Sequence, residues 1–184
     1  ITASAGLAEV SPCHGGEYQG QSGSTASRVC TGGCRCPPGA SAELPCSSGS
    51  YSSVPGLTHA DNCTICPIGS ACATGSTAPT PCAPGTITVI DGQSECSPCN
   101  GGEYQDVPGQ TACKQCSRGN YCPAGAAAPT SCAQGSYRTT GNGVSQTDCT
   151  TCDAGHYCPL GATDKLACVP GTYQSGTGQS SCTQ

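Results

Sequence analysis

The sequence predicts a small disulfide-rich fold: an elongated tandem array of short β-hairpin modules with little regular secondary structure and no helix bundle or large core. Three observations carry that expectation. Of the 184 residues 20 are Cys, no Phe, Trp or Met is present, and a Cys followed three residues later by Gly recurs along the chain. The 27 Gly, 15 Pro and 20 Cys fill a third of the sequence, and the 4% aromatic content is entirely seven Tyr. Such a chain lacks the apolar surface to offset its ordering entropy, so covalent closure must hold it. Without cross-links a weakly charged Gly/Pro/Ser/Thr-rich polymer would stay disordered.

The cysteine count is even, so every thiol has a partner available. Persistent disulfides require an oxidising compartment, and the expected location is extracellular, secreted or cell-surface associated. No signal peptide is read at Ile1 and no segment approaches a membrane span, which fits a processed chain or an ordered fragment of a longer one. The net charge of -5 comes from six basic and eleven acidic residues without a basic cluster. Nucleic acid is therefore not an expected partner, nor is direct membrane insertion.

Taken in order, residues 1–12 (ITASAGLAEVSP) contain no Cys and read as a flexible lead-in. Six long loops then open at Cys13, Cys46, Cys82, Cys99, Cys132 and Cys168, each with Gly three residues on and a large side chain two further on: Tyr18, Tyr51, Ile87, Tyr104, Tyr137 and Tyr173. Closure falls 14 residues on for Cys82–Cys96, Cys99–Cys113 and Cys168–Cys182, and 17 on for Cys13 to Cys30, Cys46–Cys63 and Cys132–Cys149. Two fixed lengths read as one loop with an optional three-residue insertion. A second glycine follows ten residues after five openers, at Gly23, Gly56, Gly92, Gly109 and Gly178, while Gly141 and Gly143 flank that place in the loop of Cys132. Glycine supplies a tight reversal, so each loop reads as two extended arms clamped at the base.

Short loops, Cys66–Cys72, Cys116–Cys122 and Cys152–Cys158, sit between the long ones. Nine-residue spacers rich in Pro, Ala and Thr follow them and favour extended or turn conformations. Closing every loop on itself uses eighteen cysteines and leaves Cys34 and Cys36. A direct bond between those two would strain a ring over one residue. Either it forms beside Cys13–Cys30, or the pairs are Cys13–Cys34 and Cys30–Cys36; in both cases Cys13, Cys30, Cys34 and Cys36 pair among themselves. A crossed scheme, with Cys113–Cys122 and Cys116–Cys132, would strand Cys182, so the nested scheme is preferred. Closing a loop of about 15 residues contributes roughly 3 kcal/mol in the chain-entropy model. The resulting modules are 13–62 (irregular), 63–112 with an extra hairpin at 99–113, 113–148 and 149–184.

No catalytic constellation emerges. Four CxxC pairs (Cys63/Cys66, Cys96/Cys99, Cys113/Cys116, Cys149/Cys152) mark where one loop closes and the next opens, and neither zinc nor redox chemistry is expected of them. His14, His59 and His156 are scattered, and the acidic residues lack the alternation a calcium loop needs. There is no GxSxG, HExxH or P-loop, so no enzyme activity and no cofactor are expected. Asn62, Cys63 and Thr64 form an N-glycosylation acceptor at Asn62, and Thr77, Thr80, Thr86, Thr130 and Ser131, near prolines, are candidate O-glycan positions. The Tyr after each long-loop glycine is expected to cover the clamp disulfide and the preceding module.

The segments CVPGTYQSGTGQSSC, CAPGTITVIDGQSECSPC and CSRGNYCPAG resemble ephrin-receptor-like cysteine-rich repeats of the wider growth-factor-receptor and tumour-necrosis-factor-receptor group. The likeness runs from Cys13 to Cys182. It implies an array of small disulfide-bonded modules in an extracellular protein, as in receptors, adhesion proteins, and algal and protist surface or ciliary-hair proteins. Departures are the Cys30, Cys34, Cys36 cluster, Ile87 in place of Tyr, and the doubled hairpin after Cys96. The function expected is that of a structural extracellular glycoprotein assembling into a cell-surface filament, appendage or matrix, with copies of itself or other extracellular glycoproteins as partners. The alternative is a receptor or adhesion ectodomain for a protein ligand.

Overall fold

Eighteen two-residue strands pair into nine antiparallel two-stranded sheets, and two 3₁₀ turns, Ala60–Asn62 and Gln146–Asp148, are the only helical elements among the described residues. The computed structural model describes residues 13–21 and 26–184, so the 1–12 lead-in and Gly23 lie outside the described residues. The chain divides into two compact units. One comprises Ile1–Pro67, Cys72–Thr80 and Gly92–Ser94; the other comprises Ile68–Ala71, Pro81–Asp91 and Glu95–Gln184.

Both units repeat one backbone turn. Each turn opens at a Cys (13, 30, 46, 66, 82, 99, 116, 132, 152 and 168) and has Gly three residues later. In the first unit the N–H of Cys46 donates to the carbonyl of Gly33 (2.7 Å), and the N–H of Gly33 donates to Ser52 (2.7 Å), six residues after Cys46. The second unit repeats this register: Cys116 donates to Gly102 (2.9 Å) and Gly102 to Cys122 (2.8 Å). A third bond runs back to the opener, as from Gly125 N–H to Cys99 carbonyl (2.9 Å). Three backbone bonds per turn satisfy groups that a packed core would otherwise have to cover.

The hairpin arms explain the CxxC pairs and the spacers together. In the turn of Cys99, Glu103–Tyr104 pairs with Lys114–Gln115, the two residues inside Cys113-x-x-Cys116. In the turn of Cys116, Asn120–Tyr121 pairs with Thr130–Ser131, the last two spacer residues before Cys132. The return arm thus follows the closing cysteine rather than preceding it. Long and short loops are one structural turn, because both place their second arm immediately before the next opener.

Glycine is demanded by close approach as well as by a left-handed backbone. At Gly135 (φ 80°) an added Cβ would stand 2.0 Å from the carbonyl oxygen of Gly178, where no side chain fits. The place between Gly141 and Gly143 is filled by Asn142 at φ 59°, and Asn is the L-residue best suited to that region. Its N–H donates to the carbonyl of Cys116 as glycines do elsewhere.

Nine disulfides fill the interior: Cys30–Cys36, Cys46–Cys63, Cys66–Cys72, Cys82–Cys96, Cys99–Cys113, Cys116–Cys122, Cys132–Cys149, Cys152–Cys158 and Cys168–Cys182. Among the described residues the buried apolar side chains are twelve cysteines with Ala126 and Ala162. The optional three-residue insertion is a 3₁₀ turn, present just before Cys63 and Cys149.

The expectation for the first turn needs correction. Cys30 bonds Cys36, but Cys13 and Cys34 carry free thiols instead of pairing. The register supplies the reason: Glu17–Tyr18 pairs with Arg28–Val29, so the closing place before that return arm falls on Ser27, 14 residues after Cys13. Cys34 stands four residues into its turn, on an arm paired with Leu44–Pro45, where the neighbouring turns carry residues such as Ser50 and Ser70.

Candidate functional site

The sixth residue after each opener decides how a turn is closed. When it is Cys (Cys36, Cys72, Cys122, Cys158) it bonds the opener directly; otherwise the clamp lies 14 or 17 residues on, except in the turn of Cys13, which has Gln19 there and no clamp. In the far-clamped turns that sixth place holds a polar side chain turned inward. Gln105, 2% exposed, donates through Nε2 to the Ala112 carbonyl (2.6 Å) and accepts from the Val107 N–H (3.0 Å), tying both ends of its loop. Gln174 repeats this with Ser181 (3.0 Å) and Gly176 (3.2 Å). Arg138 donates to the carbonyls of Asp148 (2.7 Å) and Gly141 (3.0 Å) across the longer loop. Ser52 and Thr88 fill the same place with shorter side chains, Ser52 Oγ accepting from Val54 N–H (3.1 Å) and Thr88 Oγ1 donating to the Ser70 carbonyl (3.3 Å). Arg138 is thereby committed to the fold rather than offered as a surface anchor. No single residue in the sequence flags this group, but counting from the opener finds all of it.

All seven Tyr occupy one place, five residues after an opener, including Tyr121 and Tyr157 of the short loops. Tyr104 packs on the Cys116–Cys122 disulfide and Ala126, and Tyr137 on Cys152–Cys158 and Ala162. The covered disulfide belongs to the following turn, not to the clamp of the Tyr's own loop or to the preceding module. The glycine of each of these turns bonds the following turn, its carbonyl accepting from the next opener and its N–H donating six residues beyond that opener, and the ring is carried the same way. Lys114, opposite Tyr104, lies 5.9 Å from its ring centroid and pairs with Asp106. That pair holds the Asp106 carboxyl below its ordinary range, chiefly through the lysine hydrogen bond, and raises the Lys114 ammonium. Asp153 and Lys165 form a second such pair, shifted in the same directions.

The residues that the sequence offers as glycan positions divide by what their side chains already do. Asn62 is exposed at the end of the first 3₁₀ turn, and its Oδ1 accepts from His59 N–H (3.1 Å) and Thr58 Oγ1 (3.4 Å). Thr64, the third residue of the acceptor triplet, is exposed on the return arm beyond Cys63. Thr77, Thr80 and Thr130 are exposed, whereas Thr86 Oγ1 donates to Ala83 (2.8 Å) and Ser131 Oγ donates to Asn120 Oδ1 (3.0 Å). The three histidines are not brought together: His59 caps the 3₁₀ turn and His156 Nδ1 lies 3.2 Å from the Ala154 carbonyl, while His14 lies in the first turn. Each cysteine of the four CxxC pairs is in a disulfide, and among the described residues no three His, Cys, Asp or Glu side chains stand at metal-binding distance.

The family model described as "Tyrosine-protein kinase ephrin type A/B receptor-like" matches residues 85–128. That stretch holds the turn of Cys99, far-clamped, and the turn of Cys116, near-clamped, up to but not including its return arm Thr130–Ser131. No curated protein matches the chain. Nine disulfides and this match indicate an extracellular or cell-surface protein. Among the described residues no helix is long and apolar enough to cross a membrane.

Proposed function

We propose, taking the ephrin-receptor-like character of residues 85–128 as the premise, that the chain is a non-enzymatic structural segment of an extracellular glycoprotein. It assembles with copies of itself or with other extracellular glycoproteins into a filament, appendage or matrix. The observation that supports this reading is the single backbone register repeated turn after turn, with polar side chains such as Gln105, Gln174 and Arg138 spent on closing loops. A repeat stabilised by neighbour-to-neighbour contacts extends without a new core, which suits a scaffold. Glycans on Asn62 and on the exposed hydroxyls of Thr77, Thr80 and Thr130 supply solubility that six basic and eleven acidic residues do not. Electron microscopy of native material tests this: filaments or sheets are expected, and discrete monomers at every concentration would overturn it.

A second reading, a receptor or adhesion ectodomain, is favoured by the family match itself. Its exposed arms, with Lys114 beside Tyr104 and Arg28 beside Tyr18, would supply the contact. Affinity capture that returned one soluble protein at fixed stoichiometry would put this reading first.

A further inference from the structure

Hydroxyl side chains hold two places in the repeat and act differently in each. Four residues after an opener, Ser50, Thr86, Ser136 and Thr172 donate to the carbonyl one residue past that opener, on Ser47, Ala83, Ala133 and Val169 (2.7 to 2.8 Å). Two residues before the next opener, on the return arm, Thr64, Thr130 and Thr150 are exposed. Among the described residues no hydrogen bond holds their Oγ1. Each stands directly opposite a half-buried Tyr: Thr64 opposite Tyr51, Thr130 opposite Tyr121 and Thr150 opposite Tyr137. Residues opposite one another in an antiparallel pair share a face, with their Cβ atoms about 4.5–5.5 Å apart. The turn of Cys99 shows what a side chain at this place reaches: Lys114, opposite Tyr104, brings Nζ to 5.9 Å from the ring centroid. Arg28 and Leu166 stand opposite Tyr18 and Tyr157 in the same way. A threonine is too short to cover the ring that Lys, Arg or Leu can cover.

We propose that Thr64, Thr130 and Thr150 are O-glycosylation sites, each carrying a pyranose whose C–H face lies on the Tyr ring across the hairpin, an inference that rests on the glycoprotein reading above. A sugar on Oγ1 supplies the reach that the Lys114 stem has and threonine lacks. Its C–H bonds carry the partial positive charge that the negative face of an aromatic ring favours, as the Lys114 ammonium does, and its hydroxyls stay in water. In the attachment the bond from Oγ1 to the anomeric carbon forms, and the bond from that carbon to a phosphate oxygen of a nucleotide- or lipid-phosphate-activated sugar breaks. The hydroxyl proton is released and the phosphate leaves with the electron pair. This register selects differently from proline content. Thr86 and Ser131 lie near prolines but spend their hydroxyls on Ala83 and Asn120, whereas Thr64 and Thr150 follow the closing cysteines Cys63 and Cys149 with no proline beside them. Thr80 and Ser97 hold the same place on the return arm, but in their turns the residue five after the opener is Ala71 or Ile87, so they lack the ring.

The test uses the oxidised protein from its native source. Glycopeptide mass spectrometry, with fragmentation that keeps the glycosidic bond, assigns each sugar to a residue, and NMR of the intact protein reads the sugar ring protons. The expected result is a hexose or N-acetylhexosamine mass on Thr64, Thr130 and Thr150, with ring protons shifted upfield by the aromatic ring current. Tyr137→Ile, with the side chain that Ile87 supplies at the same place, should keep the sugar on Thr150 and return its protons to the shifts of a free glycoside. Thr64, Thr130 and Thr150 bare, or no more modified than Thr86 and Ser131, while other residues carry sugar would overturn the inference and leave the glycoprotein reading standing. No sugar anywhere would overturn both. Sugars on the three threonines at free-glycoside shifts in the wild-type protein would also overturn the inference, since the Tyr contact selects the sites. Should Tyr137→Ile misfold, the wild-type shifts decide.

Discussion

Gln105 stands in its turn where Cys122 stands in the next. Each is the sixth residue after an opening cysteine, and each carbonyl accepts the N–H of the preceding turn's glycine, Gly85 for Gln105 (2.7 Å) and Gly102 for Cys122 (2.8 Å). The backbone is the same; only the closure differs. Cys122 locks its turn to Cys116 directly, whereas Gln105 ties the wider loop that Cys99–Cys113 completes. A fully buried polar side chain and a disulfide are thus alternative fillings of one site.

Gln105→Ala should therefore destabilise the oxidised protein by about 1–3 kcal/mol, because Val107 N–H and the Ala112 carbonyl lose their partner inside the loop. Gln174→Ala, at a half-buried copy of the site with water at hand, should cost less. Denaturant unfolding without reductant measures both.

Gly135 and Gly171 have nearly the same backbone, φ 80° and 87°, but different surroundings. An L-residue at either carries a left-handed penalty of roughly 1–2 kcal/mol. Gly135→Ala adds a clash with the Gly178 carbonyl, and Gly171→Ala adds none within the chain. Thermal unfolding should show a much larger loss for the first, and equal losses would contradict the close-approach argument.

Ser27→Cys should restore the missing clamp. The introduced thiol falls 14 residues after Cys13, as Cys113 does after Cys99, and should bond it. Thiol titration of the folded protein should fall from two groups to one, leaving Cys34, with a gain of about 3 kcal/mol for a loop of this length.

Acid should loosen the second 3₁₀ turn before it affects the first. Asp148 accepts from Val144 N–H (2.7 Å) and Ser145 N–H (3.1 Å), and these bonds hold its carboxyl below its ordinary value of 3.8. A carboxylate depressed by folding stabilises fully above that ordinary value, and the contribution is lost as pH falls through the lowered one. Asn62 holds the same place before Cys63 and does not titrate. NMR titration should place the Asp148 midpoint below that of a free carboxylate, and Asp148→Asn should remove the acid response of Gln146–Asp148 while keeping the cap.

Much of the fold was legible because cysteine and glycine recur at fixed places. The fold class and the three-residue insertion follow from spacing, since Gly in a left-handed turn and Cys in a clamp leave few alternatives; the return arm, read inside each clamped loop, lies instead beyond the closing cysteine. The identity of long and short loops was hidden because the sixth residue alternates between Cys and Gln, Ser, Thr or Arg, which share no chemistry except the place they fill. Tyr121 and Tyr157, five residues after Cys116 and Cys152, were the signal that joined them. The free thiols of Cys13 and Cys34 were missed because an even count invited full pairing, while Ser27 marks the vacant closing place only once the return arm Arg28–Val29 is known. The triplet Asn62, Cys63, Thr64 is visible in the sequence, but the capping bond of Asn62 to His59 is not, since that depends on the local turn.

The central claim is that each turn from Cys30 onward is closed on itself, near or far, around one repeated backbone register. Disulfide mapping by proteolysis and mass spectrometry without reduction tests it most directly at the doubled hairpin. The account predicts Cys99 linked to Cys113 and Cys116 linked to Cys122. Recovery of Cys113 linked to Cys122, with Cys116 linked to Cys132, would contradict it.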